Sequence, residues 1–389
     1  TFLGHPRGLA TLFFTEMWER FSYYGMRALL ILFMVDSVAN GGLALDDKTS
    51  AAIYGLYTMF VYLLALPGGW LADKFFGLRK AVFYGGIIIA AGHFCMAVPT
   101  IETFFLGLFL IIVGTGLLKP NVSSIVGGLY SSDEPSRRDA GYSIYYMGIN
   151  IGAFVAPLIT GWLGEGFSWH YGFGAAGIGM VVGVIQYKMT QGYLGDVGIK
   201  PESTGDIEKD AKRRKNIGRG LFVTVLAICV VLALMLMRVI TVDPVSIANL
   251  SSYIIIGAIV LYFLYIFLAE ELTKDEKKKI GMILVLFFFS AVFWSGFEQA
   301  GSSLNLFADR YTNRMIGGWE MPASWLQSVN PIFIILLSPV FGWLWITLAK
   351  RHLEPNTPVK FSFGLIFLGL GFAVMAIASG IVATGNNVL

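Results

Sequence analysis

The sequence predicts an all-α protein that crosses a membrane many times, and three observations carry that prediction. Hydrophobic residues make up 56% of the chain and charged residues only 14%, with a mean hydropathy of +0.69; soluble domains carry about a quarter charged residues. The apolar residues fall in runs long enough to span the hydrocarbon core, which takes roughly 20 residues of helix. The basic residues are partitioned between the ends of those runs.

Eleven apolar segments follow in order, at about 9–35, 49–72, 78–98, 103–127, 139–163, 171–190, 218–241, 250–269, 280–307, 323–349 and 359–383. With the N-terminus placed on the cytoplasmic side, 21 of the 28 Lys and Arg residues fall on that side and three, Lys48, Arg310 and Arg314, on the other. The remaining four, Arg20, Arg27, Lys119 and Arg238, lie within segments. The first segment is too long for a signal-peptide core and no small-residue cleavage site follows it. Cys95 and Cys229 both lie in apolar runs and read as packing residues, not a disulfide framework. Nothing supports nucleic-acid binding, and no metal cluster, nucleophile elbow or phosphate loop is present to suggest an enzyme.

The segments divide the chain into four parts: a six-helix N-terminal bundle (1–190), a polar linker whose basic run reads as a cytoplasmic anchor (191–217), a two-helix hairpin (218–270) and three further helices (271–389). Six segments before a long cytoplasmic linker suggest an architecture of two six-helix halves.

Charges deep in a span face a bundle interior or a water-filled cavity. Six occur away from segment ends: Glu16, Glu19, Arg20, Arg27, Lys119 and Glu298. At about 100° per residue, Glu16, Arg20, Tyr23 and Arg27 share a stripe of roughly 60°, and Glu19 and Tyr24 widen the polar arc to roughly 140°. Trp18, Phe21 and Gly25 point the other way, to lipid or a neighbouring helix. Counted from segment centres, Glu16 and Glu19 match Lys119 in depth on the cytoplasmic side, and Arg27 matches Glu298 on the outer side. Two such pairs serve either as gates or as static ties between helices.

Smaller signals lie elsewhere. Pro120 after Lys119 frees a carbonyl one turn back, which suits a kinked helix lining a cavity. Tyr146 and Asn150 sit at i,i+4 near mid-membrane, where Asn serves as interhelical glue or touches a ligand. Tyr62 is equally central and either packs or lines. His93, among small residues, reads as structural. In "GGWLADKFFGLRK" an acid and a basic turn join two segments, with Asp73 placed to cap the next helix or pair with a base.

These motifs together resemble the proton-dependent oligopeptide transporters, a branch of the major facilitator superfamily. The ExxERFxYYG motif is complete in Glu16, Glu19, Arg20, Phe21, Tyr23, Tyr24 and Gly25. "GGWLADKFFGLRKAVFYGGIII", "YYMGINIGAF", "FWSGFEQAGSSLNLFA" and "SVNPIFIILLSPVFGWLW" are similar to further signatures and core helices in the right order, and the hairpin to the extra pair of bacterial members. The resemblance implies the major facilitator fold and import of di- and tripeptides driven by protons, with no other cofactor, by a monomer in the bacterial inner membrane. It implies that Arg20 binds the peptide carboxylate with Lys119 nearby, since the guanidinium fork matches a carboxylate. Tyr23, Tyr24, Tyr62 and Asn150 would line the site, and Asn330 would reach it from the second half. Glu16 and Glu19 would couple protons, and Glu298 would pair with Arg27 as an outer gate and take a proton itself. Another solute, such as nitrate or a peptide-like drug, fits the same face, and a non-transporting scaffold is a further class. Where mammalian members carry a histidine in the second helix this chain has Gly55, so coupling rests on carboxylates. The family's tenth to twelfth helices, which supply an acid for the base at Lys119 and pocket residues for the peptide's amino end, do not follow. The expectation is therefore a piece of a longer protein, and a chain truly ending at Leu389 is expected not to transport actively.

Overall fold

The computed structural model describes residues 1–389 except 202, 204, 238, 270, 386, 387 and 389; Arg238 thus lies outside the described residues. The N-terminal half is built from α1 (Arg7–Val35), α2 (Asp47–Leu63), α3 (Ala65–Leu71), α4 (Leu78–Met96), α5 (Ile101–Gly128), α6 (Pro135–Gly166) and α7 (Trp169–Thr190). The hairpin is α8 (Ile207–Leu236) and α9 (Pro244–Ala269), and the second half holds α10 (Lys274–Phe297), α11 (Ser303–Tyr311), α12 (Val329–Lys350) and α13 (Thr357–Ala383). Among the described residues, eight helical stretches are long and apolar enough to cross a membrane. Helix α1 is not among them because of its charges, Glu16, Glu19, Arg20 and Arg27 besides Arg7 at its start, and α4 and α7 complete the first six.

Two segments read as continuous are broken, each for a local reason. The helix of 49–72 turns at Leu64, because Pro67 has no N–H to return to the Leu63 carbonyl. It then ends in one wide π-helical turn, Ala72–Phe76. The segment of 280–307 ends as an α-helix at Phe297 and passes through a short 3₁₀ stretch, Glu298–Gly301, before α11. Gly301, Ser302 and Ser303, weaker helix formers, follow directly, and Gln327 Nε2 donates to the Ala300 carbonyl there. The capping role offered for Asp73 is not taken: Gly77 stands at the N-cap of α4 with no side-chain cap, and Asp73 sits in the π turn.

In the first half, helix α1 packs between α6 and α7, and α4 packs along α5. Close backbone approach makes this possible. A Cβ at Gly85 would come within 2.7 Å of the Gly114 carbonyl oxygen, and one at Gly114 within 2.6 Å of that of Gly85. Gly68 is tighter still. The carbonyl that Pro120 frees belongs to Gly116, and a Cβ at position 68 would lie 2.0 Å from its oxygen. The kink in α5 is therefore seated against the bend between α2 and α3.

The face on which α1 begins carries the basic loops. There Arg79 gathers the start of the linker. Its backbone N–H donates to the Gly198 carbonyl at 3.0 Å, its Nε to the Val197 carbonyl at 2.6 Å, and its Nη2 to that of Gly195. The hairpin lies on the same half, with α9 along α2 and α8 beside the π turn. On the opposite face, Met315–Ile316 and Trp319–Glu320 form a small hairpin, Met315 opposite Glu320, turned by Gly317 and Gly318 at φ +57° and +85°.

Replacing Gly68 with Ala is expected to drive Cβ into the Gly116 carbonyl and lower stability by about 1–3 kcal/mol. Thermal unfolding in detergent checks this; an unchanged midpoint would show that the bend and the kink do not rest on each other.

Candidate functional site

Helix α1 places its polar residues where the stripe predicts: Glu16, Glu19, Arg20, Tyr23 and Arg27 are buried and Tyr24 is half-buried. Both carboxylates close on one base. Glu19 takes Arg20 through both oxygens, Nη2 to Oε1 at 2.7 Å and Nε to Oε2, while Glu16 Oε1 lies 3.2 Å from the same Nε. Adjacent residues on a helix diverge, but the long Arg20 side chain swings back to its neighbour. The guanidinium also lies 4.9 Å from the Tyr23 ring centroid, in reach of a cation–π contact. The other face meets protein: Phe21 packs on Gly179 and Trp18 on Gly183 of α7, while Gly25 meets Thr160 of α6. Their partners are neighbouring helices, not lipid.

Two turns further along α1, Arg27 joins the halves. Its Nη2 donates to Glu298 Oε2 at 2.6 Å and its Nε to the Tyr54 hydroxyl at 2.6 Å, with Arg27 only 6% exposed. The break in α10 sets Glu298 at the end of its helix, and Gly301 lets the chain pass over the pair. A Cβ there would lie 2.2 Å from the Tyr54 hydroxyl and 2.8 Å from Arg27 Nε. Around this pair the halves are tied further: Asn305 Nδ2 donates to the Ala28 carbonyl at 2.8 Å, and Arg310 grips Asp47 through two bonds of 2.7 Å.

Beneath the pair lies a cavity of about 420 Å³ between the halves. Tyr24, Arg27, Tyr62 and Asn150 line it from the first half, and Glu298 and Asn330 from the second. Trp294, Phe297 and Phe372 give it an apolar wall. A more open cavity of about 540 Å³ lies on the opposite face, among Trp162, Glu165, Arg314 and Glu320, away from the charges of α1 except at its end. The central one is the candidate site, because the inter-half ion pair and the polar face of α1 converge on it.

Not every residue expected at the site lies on that wall. Glu16, Glu19, Arg20, Tyr23 and Lys119 are set back from it. Tyr23 is 2% exposed, and its hydroxyl has no hydrogen-bond partner among the described residues. The depth match of Lys119 with Glu16 and Glu19 does not become an ion pair. Arg20, on their own helix, occupies both acids, and among the described residues no carboxylate lies within 4.0 Å of the Lys119 ammonium. Lys119 Nζ lies instead 4.3 Å from the Tyr62 ring centroid. Asn150 spends its amide on its own helix, donating to the Tyr146 carbonyl at 2.9 Å, and leaves its oxygen for the cavity. His93 is fully buried, with no partner for either ring nitrogen. Cys95 is half-buried and Cys229 exposed, both as free thiols, so Cys229 does not pack inside the protein. Tyr54 was not singled out from the sequence, although Ile53, Tyr54, Tyr57 and Val61 mark one buried face of α2.

A family model described as the POT family matches residues 79–387. The peptide transporter YePEPT of Yersinia enterocolitica is 43% identical over 387 residues, covering 97% of this chain and 75% of its own. A di-/tripeptide transporter of Lactococcus lactis subsp. cremoris is 39% identical over 97% of this chain and 76% of its own. The chain thus spans about three quarters of the length of these relatives. A crystal structure of a peptide transporter POT with sulfate superposes with a TM-score of 0.87 at 41% identity, covering all of this chain and 77% of that one.

If Tyr54 anchors Arg27, Tyr54→Phe costs about 1–3 kcal/mol by leaving a buried donor unmet, and Glu298→Gln costs about 3–5 kcal/mol by breaking a buried pair. The double variant is expected to lose less than both together, because both act on one guanidinium. Additive losses in thermal unfolding would separate Tyr54 from the pair.

Proposed function

The chain belongs to the POT family, and from that membership we propose that it is a proton-coupled symporter that imports di- and tripeptides by alternating access. The observation that carries the reading is the Arg27–Glu298 pair: a part-buried ion pair, made across the two halves, roofing a cavity with polar residues from both. The relatives named for peptide and di-/tripeptide transport supply the substrate class. The basic loops support an N-terminus in the cytoplasm, and the bacterial relatives support an inner-membrane location. The ion pair then closes the outer side. The coupling ion is the proton, no other cofactor is invoked, and one chain forms one pathway.

Coupling follows from the occupancy of Arg20. Glu19 takes the Nε–Nη2 edge of its fork, with Glu16 alongside. A peptide carboxylate can claim the guanidinium only if an acid lets go, and a proton on that acid releases it. Peptide and proton thereby assist each other, as linkage requires. Glu298 acts the same way at the outer closure: a proton removes its half of the pair and frees Arg27. Tyr24, Tyr62, Asn150 and Asn330 would hold the peptide backbone, with Tyr23 and Lys119 in support, Lys119 balancing Glu16 and Glu19 once Arg20 is engaged.

Dialanine uptake into liposomes is expected to require an inward pH gradient; uptake that ignores the gradient would overturn symport. Glu298→Gln is expected to keep peptide exchange across equal pH and to lose accumulation, and accumulation that persists would remove Glu298 as an essential proton site. Arg20→Lys keeps the charge and loses the fork, so peptide affinity is expected to fall at least tenfold, about one charge-assisted hydrogen bond.

A further inference from the structure

The halves are joined a second time, along a seam on α6. Four contacts run along α6. Ser328 Oγ donates to the Phe154 carbonyl at 2.7 Å, and Trp325 Nε1 to that of Leu158 at 3.0 Å. Gly161 faces Ser324, whose hydroxyl oxygen would lie 2.0 Å from a Cβ at that position. Glu165 then accepts the backbone N–H groups of Ala323 at 2.6 Å and Ser324 at 3.0 Å. Positions 154, 158, 161 and 165 step by four, three and four, so they form one face of α6 about 16 Å long. Every donor belongs to the second half, in the 3₁₀ stretch Ala323–Ser328. Arg314, from the same half, lies 3.9 Å from Glu165 and also meets Asp309 and Glu320.

We propose that this face of α6 is a hydrogen-bonded latch for the outer-closed arrangement, and that Glu165 is the positioning residue that sets its strength. Hydrogen bonds between neutral groups exchange for water when the seam parts, so those of Ser328 and Trp325 hold weakly and reversibly. Those to the carboxylate are charge-assisted and roughly twice as strong. Among the described residues, the partners of Glu165 all lie across the seam, none within its own bundle. A group with that set of partners favours one arrangement of the halves and adds little to the fold of its own half. Because the contacts share one face, a rocking motion must release them together.

The inference rests on the alternating-access reading but is tested without substrate or proton gradient. Spin labels at exposed Phe167 and Met315, in a background lacking Cys95 and Cys229, report the width of the seam in nanodiscs by electron–electron distance measurement. Glu165→Ala is expected to raise the long-distance share about tenfold, the effect of one charge-assisted hydrogen bond. Gly161→Ala keeps every charge and wedges the same strip, and is expected to shift the distances in the same direction. Unchanged distances in both variants would overturn the latch. A shift in Gly161→Ala alone would keep the seam and remove Glu165 from its role, and if Glu165→Ala does not fold, Gly161→Ala decides on the seam and Glu165→Gln, which keeps one acceptor, on the charge. Seam distances that fail to move would leave gradient-driven dialanine uptake standing as a separate result.

Discussion

A guanidinium in the middle of an apolar span is tolerable only with a charge and donors' partners around it. Arg27 finds its carboxylate not on its own bundle but on Glu298 of the other half. Much else follows from that choice. The second half must approach closely, which Gly301 permits; its helix must end at the right depth, which the break after Phe297 provides. Tyr54 must fill the remaining side of the guanidinium. The same requirement is met differently at Arg20, where Glu16 and Glu19 answer it within one helix. One base thus binds the halves together and the other is balanced within its own helix.

How much of this was legible in the sequence differs by type of fact. Helical periodicity put Glu16, Arg20, Tyr23 and Arg27 on one stripe, and counting from segment centres set Arg27 level with Glu298, because both depend only on rise and turn per residue. Pairing Lys119 with the α1 acids failed for the same reason in reverse. Depth is one coordinate, and the rotation of α5 about its axis is fixed by packing that the sequence does not display. Arg20 was nearer than any level-mate on another helix. The breaks at Leu64 and after Phe297 had visible causes in Pro67 and the Gly- and Ser-rich run, but apolar length alone reads through them. The face of α6 from Phe154 to Glu165 was hidden altogether, since two of its contacts are made by backbone carbonyls.

The relatives and the geometry speak to different parts of the reading. Membership of the POT family supplies the class of cargo. The arrangement of Arg20, Glu19 and Glu298 supplies a physical reason why cargo and proton should move together, since each claims a group already held by the other's partner.

The Arg79 clasp has a mechanical corollary. It fastens the first turns of the linker to the N-terminal half, and α9 lies against α2 of that same half. The covalent route to the other half therefore narrows to the step from α9, ending at Ala269, to α10, starting at Lys274. Five Cα steps can stretch to at most about 18 Å. The chain itself is then a tether of limited length at the basic face: however the two bodies rock, the ends of α9 and α10 can part no further than that.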